Sequence, residues 1–395
     1  MSFGKKSVRD ADLNGQRVLV RVDFNVPLEN GQVTDDTRIR AALPTIEYLR
    51  KSGAKVILAS HLGRPKGQRV DALSLKPAAD RLAELLDTKV RLSTESTGPI
   101  AKALANSLEP GQVMVLENLR FHEGETENDP ELSLALAELA DVYVNDAFGA
   151  AHRAHASTSG VAHQLPSYAG LLLESEVKHL SAVADDPTRP LVVILGGAKV
   201  SDKVGVIDRF IELADQVLIG GAMCFPFYRA QGFGTGNSLV EEDGIPLAKL
   251  AIEKAKGSEC ELVLPIDLSL GREFSADTEY RDLDGVEVPE GWMGLDIGPK
   301  SAADYARRIA SAGTILWNGP MGAFELDPYS SGTKTVAEAV ARAPGFTVVG
   351  GGDSVAALVK FGLTEDVDWV STGGGASLEL LEGKSLPGVE ALDAA

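Results

Sequence analysis

Ten short β-rich runs alternate with longer helical patterns along this chain, and that alternation limits the fold more than any other feature. Four lie in the first half: RVLVRVDF, KVILAS, VMVLEN and DVYVNDAF. Six follow in the second: LVVILGG, QVLIGG, ELVLP, TILWNG, FTVVGGG and WVSTGGG. The runs are almost continuously apolar rather than alternating, the pattern of strands buried on both faces of a parallel sheet. Between them, helical periodicity predicts helices over 37–51, 76–86, 130–139, 203–213, 245–256, 301–311, 333–343 and 353–360. The expected class is α/β, with two mostly parallel sheets covered by helices on both faces.

The length of 395 residues suits two or three domains of roughly 150 residues each. The join is expected within LLLESEVKHLSAVADD, an amphipathic helix with Leu173, Val177, Leu180 and Ala184 on one stripe, broken by DDPTRP. The predicted organisation is a first domain over 1–170, a hinge helix over 171–189, a second domain over 190–377 and a tail over 378–395 that packs back on the first. No apolar run approaches the roughly 18 residues of a membrane span. MSFGKKSVRD lacks the apolar core of a signal peptide, and Cys224 and Cys260 are the only cysteines. A cytoplasmic protein without structural disulfides is expected. The net charge of -19 argues against nucleic acid as a partner. It is also uneven: residues 1–170 carry 20 Lys and Arg against 22 Asp and Glu, and 171–395 carry 18 against 35.

In open parallel sheets, ligands sit beyond the carboxyl ends of the strands. In the first half those positions hold Asp23 and Asn25 in RVDFNVP, His61 and Arg64 in SHLGRP, Arg120 in ENLRF, and Arg153 between His152 and His155. Arg38 opens the helix after DDT. Converging guanidinium groups suit a small polyanion, which they bind in a fork. Taken singly, each Arg could equally be a surface ion pair, and Asp23 could simply turn the chain. The three histidines lack Cys or HExxH spacing, so they do not read as a zinc site.

In the second half, GGAKVSDK follows LVVIL and carries Lys199 and Lys203. Glycines there let backbone N–H groups approach an anion, and a helix beginning at that turn would set the two lysines one turn apart on one face. The segment is not a Walker A loop, since GxxxxGK[ST] does not fit. GGAM, WMGLDIGP, WNGPMGAFE with Glu325, and VVGGGDS with Asp353 and Ser354 are further strand-end candidates. A carboxylate beside such glycines can hold Mg²⁺, although Asp353 and Ser354 could equally cap a helix. STGGGAS could be an anion nest or only a turn. QGFGTGNS follows no clear strand and reads as a loop rather than a dinucleotide fingerprint.

RVDFNVP, SHLGRP, ENLRFHEGE, NDAFGAAHRAHAS, GGAKVSDK, WMGLDIGP, WNGPMGAFE, GGGDS and STGGGAS stand in an order and spacing that resembles the phosphoglycerate kinase family over essentially the full length. The resemblance implies two Rossmann-like domains, the first holding 3-phosphoglycerate or 1,3-bisphosphoglycerate and the second ADP or ATP with Mg²⁺. It implies exchange of a phosphoryl group between 1,3-bisphosphoglycerate and ADP by a monomer. It assigns the triose-phosphate contacts to Arg21, Val22, Asp23, Asn25, Arg38, His61, Leu62, Gly63, Arg64, Arg120 and Arg153. It assigns the nucleotide contacts to Gly197, Lys199, Lys203, Gly221, Gly294, Asn318, Glu325, Gly351, Gly352, Asp353 and Ser354, with Asp353 on the metal. Arg38, Lys199 and Lys203 take the catalytic positions. One departure stands out: GGAMCFPF places Ala222, Cys224 and Pro226 where the family has GGGMAxTF, which touches the adenine pocket wall.

The residues suit that chemistry independently. Transfer from an acyl phosphate exchanges carboxylate and phosphate oxygens, so no proton need move and no general base is required. Fixed positive charge and alignment are what the step needs. A dehydrogenase would need GxGxxG after a strand, which is missing. A phosphometabolite-binding protein would account for the arginines but not for the second Gly, Lys and Asp set.

Overall fold

A computed structural model describes residues 3–395. In the first half, six parallel strands form one sheet in the order Val90–Leu92, Val113–Val115, Lys55–Ala59, Arg17–Arg21, Val142–Asn145, Ser167–Ala169. Val18 pairs with Val56 on one side and Val142 on the other. Val18, Leu19, Val20, Val56, Ile57 and Leu58 are all buried, as a strand covered on both faces requires. Helix Thr37–Lys51 buries Ile39, Ala42, Ile46 and Leu49, and helix Lys76–Leu86 buries Ala78, Ala79, Leu82 and Leu86. These stripes, spaced i, i+3, i+7, i+10 in the first helix and i, i+1, i+4, i+8 in the second, cover the sheet and join one apolar core with it.

The second half repeats the plan, with parallel order Glu261–Val263, Gln216–Ile219, Leu191–Leu195, Thr314–Asn318, Phe346–Gly350, Trp369–Val370. Leu191–Leu195 is buried along its whole length. Trp317, Ile194, Ile315 and Val349 from the strands pack with Tyr305, Ile309, Val336 and Leu358 from the helices. The sequence pattern did not reveal an antiparallel sheet of Leu268–Gly271, Arg281–Leu283 and Met293–Ile297. It also missed the edge strands Val90–Leu92 and Ser167–Ala169 and the helices Pro99–Asn106, Cys224–Ala230, Gly375–Leu381 and Pro387–Glu390. All are short, and the two edge strands offer only three residues of pattern each.

Contacts divide the chain into two units. One holds the described residues up to Lys178 together with Ser385–Ala395, and the other holds His179–Lys384. The division falls inside helix Leu171–Asp185. Its N-terminus is anchored by Asp146, whose carboxylate accepts the N–H groups of Leu172 (2.9 Å) and Leu173 (3.3 Å). The buried stripe of this helix runs through Leu173, Glu176, Leu180 and Val183, spaced as i, i+3, i+7 and i+10. Val177 and Ala184, expected on it, lie at its margin and are only partly buried.

The tail that packs with the first unit begins at Ser385 rather than 378. Helix Gly375–Leu381 stays with the second unit because Glu382 and Gly383 pack against Gly205 and Arg209 of helix Val204–Leu213. Beyond it, Asn145 donates to the Gly388 carbonyl (2.9 Å), the Gly388 N–H donates to Ala151 (2.8 Å), and Leu386, Val389 and Leu392 are buried.

Candidate functional site

In the first unit, the segments following four strand ends meet around His61. Arg64, Arg120, Arg153 and His155 share the wall of a cavity of about 450 Å³ with Lys66 and Thr126. Two guanidinium groups, those of Arg120 and Arg38, are tied to backbone rather than left to swing. Arg120 donates to the Gly63 carbonyl (2.7 Å) and Arg38 to the Asn25 carbonyl (2.9 Å), with Arg38 also 3.4 Å from Asp23. Asn25 in turn accepts the Gly63 N–H at 2.9 Å. Asp23 accepts the Asn25 N–H (3.2 Å), so it both turns the chain and faces Arg38. The loop after Ala59 is held by Asn118, which bonds Leu62 through both its N–H and its carbonyl.

The electrostatics record the crowding. Burial, and then the charges of Arg21, Arg120, Arg153 and Arg38, push His61 well below the ordinary imidazole value. His155 is pushed down to about 4 by burial and by Arg21, Arg120 and Arg153. Arg120 itself is lowered to about 10, by burial first and then by Arg153 and Arg21, and its buried Nε has no hydrogen-bond partner. Cations whose own charge is disfavoured are poised for an anion.

Not every expected residue presents its side chain there. Arg21 is only 1% exposed and spends its nitrogens on protein acceptors, while Val22 and Leu62 are buried. Arg38, Asp23, Asn25, His61 and Gly63 do not form the wall of the cavity; Gly63 is tied to it by accepting from Arg120, and Asn25 is tied to Gly63. Sequence reasoning missed Glu125 and Ser157. Glu125 stands in HEGETENDPE, a run of acids that reads as a solvated loop, yet it is completely buried.

In the second unit, Gly197, Gly221, Gly294, Glu325 and Asp353 line a mainly apolar cavity of about 700 Å³, with Phe225, Leu239, Phe274 and Met321 among its walls. Ala222 and Cys224 line it too, so the departures in GGAMCFPF fall on the pocket itself, and Pro226 is buried behind them. Burial pushes the Cys224 thiol up to about 12, which leaves it inert. Asn237 and Ser238 of QGFGTGNS also reach the cavity, and Ser238 accepts the Gly294 N–H at 2.9 Å. In the sequence that loop follows no strand, so its pattern alone does not mark it as part of a site.

Lys199 and Lys203 do not share a helix face. The helix starts at Val204, with Lys203 in the N-cap position, because Gly197 is left-handed (φ 108°) and Ser201 is tied to Glu241. Lys199 is exposed, whereas Lys203 turns back so that its Nζ donates to the Gly196 carbonyl. Burial lowers Lys203 to about 8, against the opposing pull of Asp353 and Asp202. Asp353 lies in the first turn of helix Gly352–Phe361, whose N-cap is Gly351 (φ 90°), and no side chain caps it. Ser354 is buried and accepts the Gly319 N–H at 2.5 Å, which anchors the turn after Thr314–Asn318. Asn318, 4% exposed, lies beneath Gly351. STGGGAS is the turn into helix Gly375–Leu381, closed by the Ser371 and Ser377 hydroxyls 2.7 Å apart.

Asp296 forms part of the same cavity. It is 4% exposed and accepts the N–H groups of Gly332 (2.7 Å) and Ile297 (2.9 Å). Burial raises it from 3.8 to about 8. The folded state therefore binds more protons than the unfolded state across that window, and this carboxyl subtracts stability as pH rises through it. Thermal melts across the same pH range should show a shallower decline for Asp296→Asn than for the wild type, whatever the offset between them. Parallel profiles would mean that Asp296 titrates normally.

Comparison with known proteins follows the same lines. The family profile described as phosphoglycerate kinase matches residues 8–384. A protein named phosphoglycerate kinase from Roseiflexus sp. (strain RS-1) is 55% identical over 393 residues, covering 99% of this chain and all of the relative. One of the same name from Moorella thermoacetica is 55% identical over 390 residues, covering 99% of each. The solved phosphoglycerate kinase of Coxiella burnetii superposes with a TM-score of 0.89 at 41% identity, covering 98% of both chains.

Proposed function

The chain belongs to the phosphoglycerate kinase family and carries out its reaction, phosphoryl exchange between 1,3-bisphosphoglycerate and ADP to give 3-phosphoglycerate and ATP; from that premise we propose how its residues divide the work. The arginine site of the first unit binds the triose phosphate. Arg38, Arg64, Arg120 and Arg153 supply the cationic contacts, and Asp23, Asn25, His61 and Gly63 the polar ones, with Val22 and Leu62 limited to backbone contacts. The supporting observation is the convergence of guanidinium charge on a neutral, buried His61.

The cavity of the second unit binds the nucleotide. Its apolar walls suit a base, Glu325 suits ribose hydroxyls, and the glycine-rich turns at Gly197, Gly221, Gly351 and Gly352 leave room for phosphates. Gly294 shapes the slot, and Asn318 and Ser354 brace it. Among the described residues, no group of three or more His, Cys, Asp or Glu could hold a metal. A lone exposed carboxylate beside glycine turns fits a Mg²⁺ that arrives on the nucleotide phosphates, and Asp353 is the residue to hold it. When bound, that ion neutralises phosphate charge.

Lys203, with its charge partly desolvated, and the exposed Lys199 stabilise the transferring phosphoryl group together with Arg38. No side chain acts as a general base, since a carboxylate oxygen and a phosphate oxygen exchange roles. The first domain comprises the described residues up to 170 with the tail from Ser385, and the second runs from 190 to Lys384. Because each substrate has its own domain, transfer requires closure, and helix Leu171–Asp185 serves as the hinge. The protein acts as a cytoplasmic monomer. No helix among the described residues is long and apolar enough to cross a membrane.

Two experiments check this reading. Arg38→Ala and Lys199→Ala should each lower kcat by on the order of a hundredfold, with smaller changes in KM, as for other preorganised electrostatic donors. A rise in KM at unchanged kcat would move them to ground-state binding. For closure, small-angle scattering should show compaction with 3-phosphoglycerate and magnesium nucleotide together, and less with either alone. Identical curves in all four ligand states at saturation would rule it out.

A further inference from the structure

We propose that Glu125, Ser157 and Arg21 form a buried brace whose task is to present His61 to the ligand as a fixed Nε2–H donor, so that Arg21 is a positioning residue and not a ligand contact. The proposal rests on the reading of this unit as the phosphoglycerate site and adds three roles to it.

The brace follows from the donor inventory. Arg21 donates from Nε to the Ser157 hydroxyl (2.8 Å) and from Nη1 to the Val22 carbonyl (2.5 Å), and Nη2 lies 3.0 Å from His61 Nδ1. Guanidinium nitrogens only donate, so Nδ1 must accept. An imidazole that accepts at Nδ1 and stays neutral carries its proton on Nε2. His61 does stay neutral, because it is buried among Arg21, Arg120, Arg153 and Arg38. Its one polar hydrogen is therefore assigned to Nε2 by the residue behind it.

Arg21 is held in turn. The Ser157 hydroxyl that accepts from it donates to Glu125 Oε1 (2.6 Å), and the Ser157 N–H donates to Glu125 Oε2 (3.1 Å). Glu125 Oε1 lies 4.0 Å from Arg21 Nη2, and neither residue is more than 1% exposed. The carboxylate is the only acid in contact with this guanidinium among the described residues, and its second near neighbour is His155, 3.8 Å away. A cation sealed from water with an acid, a hydroxyl, a carbonyl and an imidazole around it has no freedom left to grasp a substrate.

¹⁵N NMR of histidine-labelled protein tests the brace without any ligand. Wild-type His61 should show protonated Nε2 and an Nδ1 resonance shifted by hydrogen bonding, and Arg21→Met should move Nδ1 to the position of a free ring nitrogen. Ser157→Ala, which leaves Arg21 in place, should move it the same way by less, and serves if Arg21→Met does not fold. A wild-type His61 protonated on Nδ1, or an Nδ1 resonance unmoved by either substitution, would overturn the proposal. Kinetics separate positioning from contact. Arg21→Met should raise KM for 3-phosphoglycerate about tenfold, the coupling expected within one hydrogen-bond network, and should add nothing in a His61→Ala background. Additive effects would make Arg21 a ligand contact after all. If His61→Ala itself leaves that KM unchanged, the phosphoglycerate reading of the site fails, whatever the NMR shows.

Discussion

Holding several guanidinium groups close together before their ligand arrives is the constraint on which the first unit is built. Two unit charges 4 Å apart repel by about 4 kcal/mol at an effective dielectric of 20, and burial adds its own penalty. The chain answers in three ways. It keeps the imidazoles of His61 and His155 uncharged. It buries a single carboxylate, Glu125, against the innermost arginine. It fastens Arg21, Arg38 and Arg120 to the carbonyls of Val22, Asn25 and Gly63, so that repulsion cannot splay them. What remains is the unpartnered Nε of Arg120, a donor that the phosphorylated carboxylic acid proposed for this site would meet.

The second unit solves a different problem, the close approach of backbones. A Cβ on Gly221 would stand 2.5 Å from the Gly197 nitrogen and 2.9 Å from the Pro320 carbonyl oxygen. Three strand ends therefore pack main chain against main chain, and the glycines there are required by that packing as well as by any phosphate. Gly197 donates to Pro320 and Met223 donates to Gly197, closing the same junction. In both units the parallel order of the strands is what delivers these turns to a single edge.

The parallel sheets were legible because their strands are buried on both faces. Val18, Leu19 and Val20, or the run Leu191–Leu195, leave no other periodicity to choose. The antiparallel sheet was not legible, since Arg281–Leu283 is polar and exposed and Leu268–Gly271 is four residues long. For the site, residue types at strand ends singled out Arg64, Arg120, Arg153, Glu325 and Asp353, all of which line one of the two cavities, but they could not show which cations face outward. Arg21 and Arg64 look alike in sequence, yet one is sealed and the other exposed. Lys203 likewise sits where a helix was expected to begin, but the left-handed turn at Gly197 delays the helix until Val204 and turns the lysine inward.

Fixed charge, and not proton transfer, is the proposed source of catalysis. The solvent deuterium isotope effect on the phosphoryl-transfer step, measured by rapid quench in a single turnover with 3-phosphoglycerate and magnesium ATP, tests this most directly. An effect near unity is predicted, because no proton is in flight at either reacting oxygen. A large normal effect that varies linearly with deuterium fraction would contradict the account, since it would require a side chain to act as a general base or acid in the step itself.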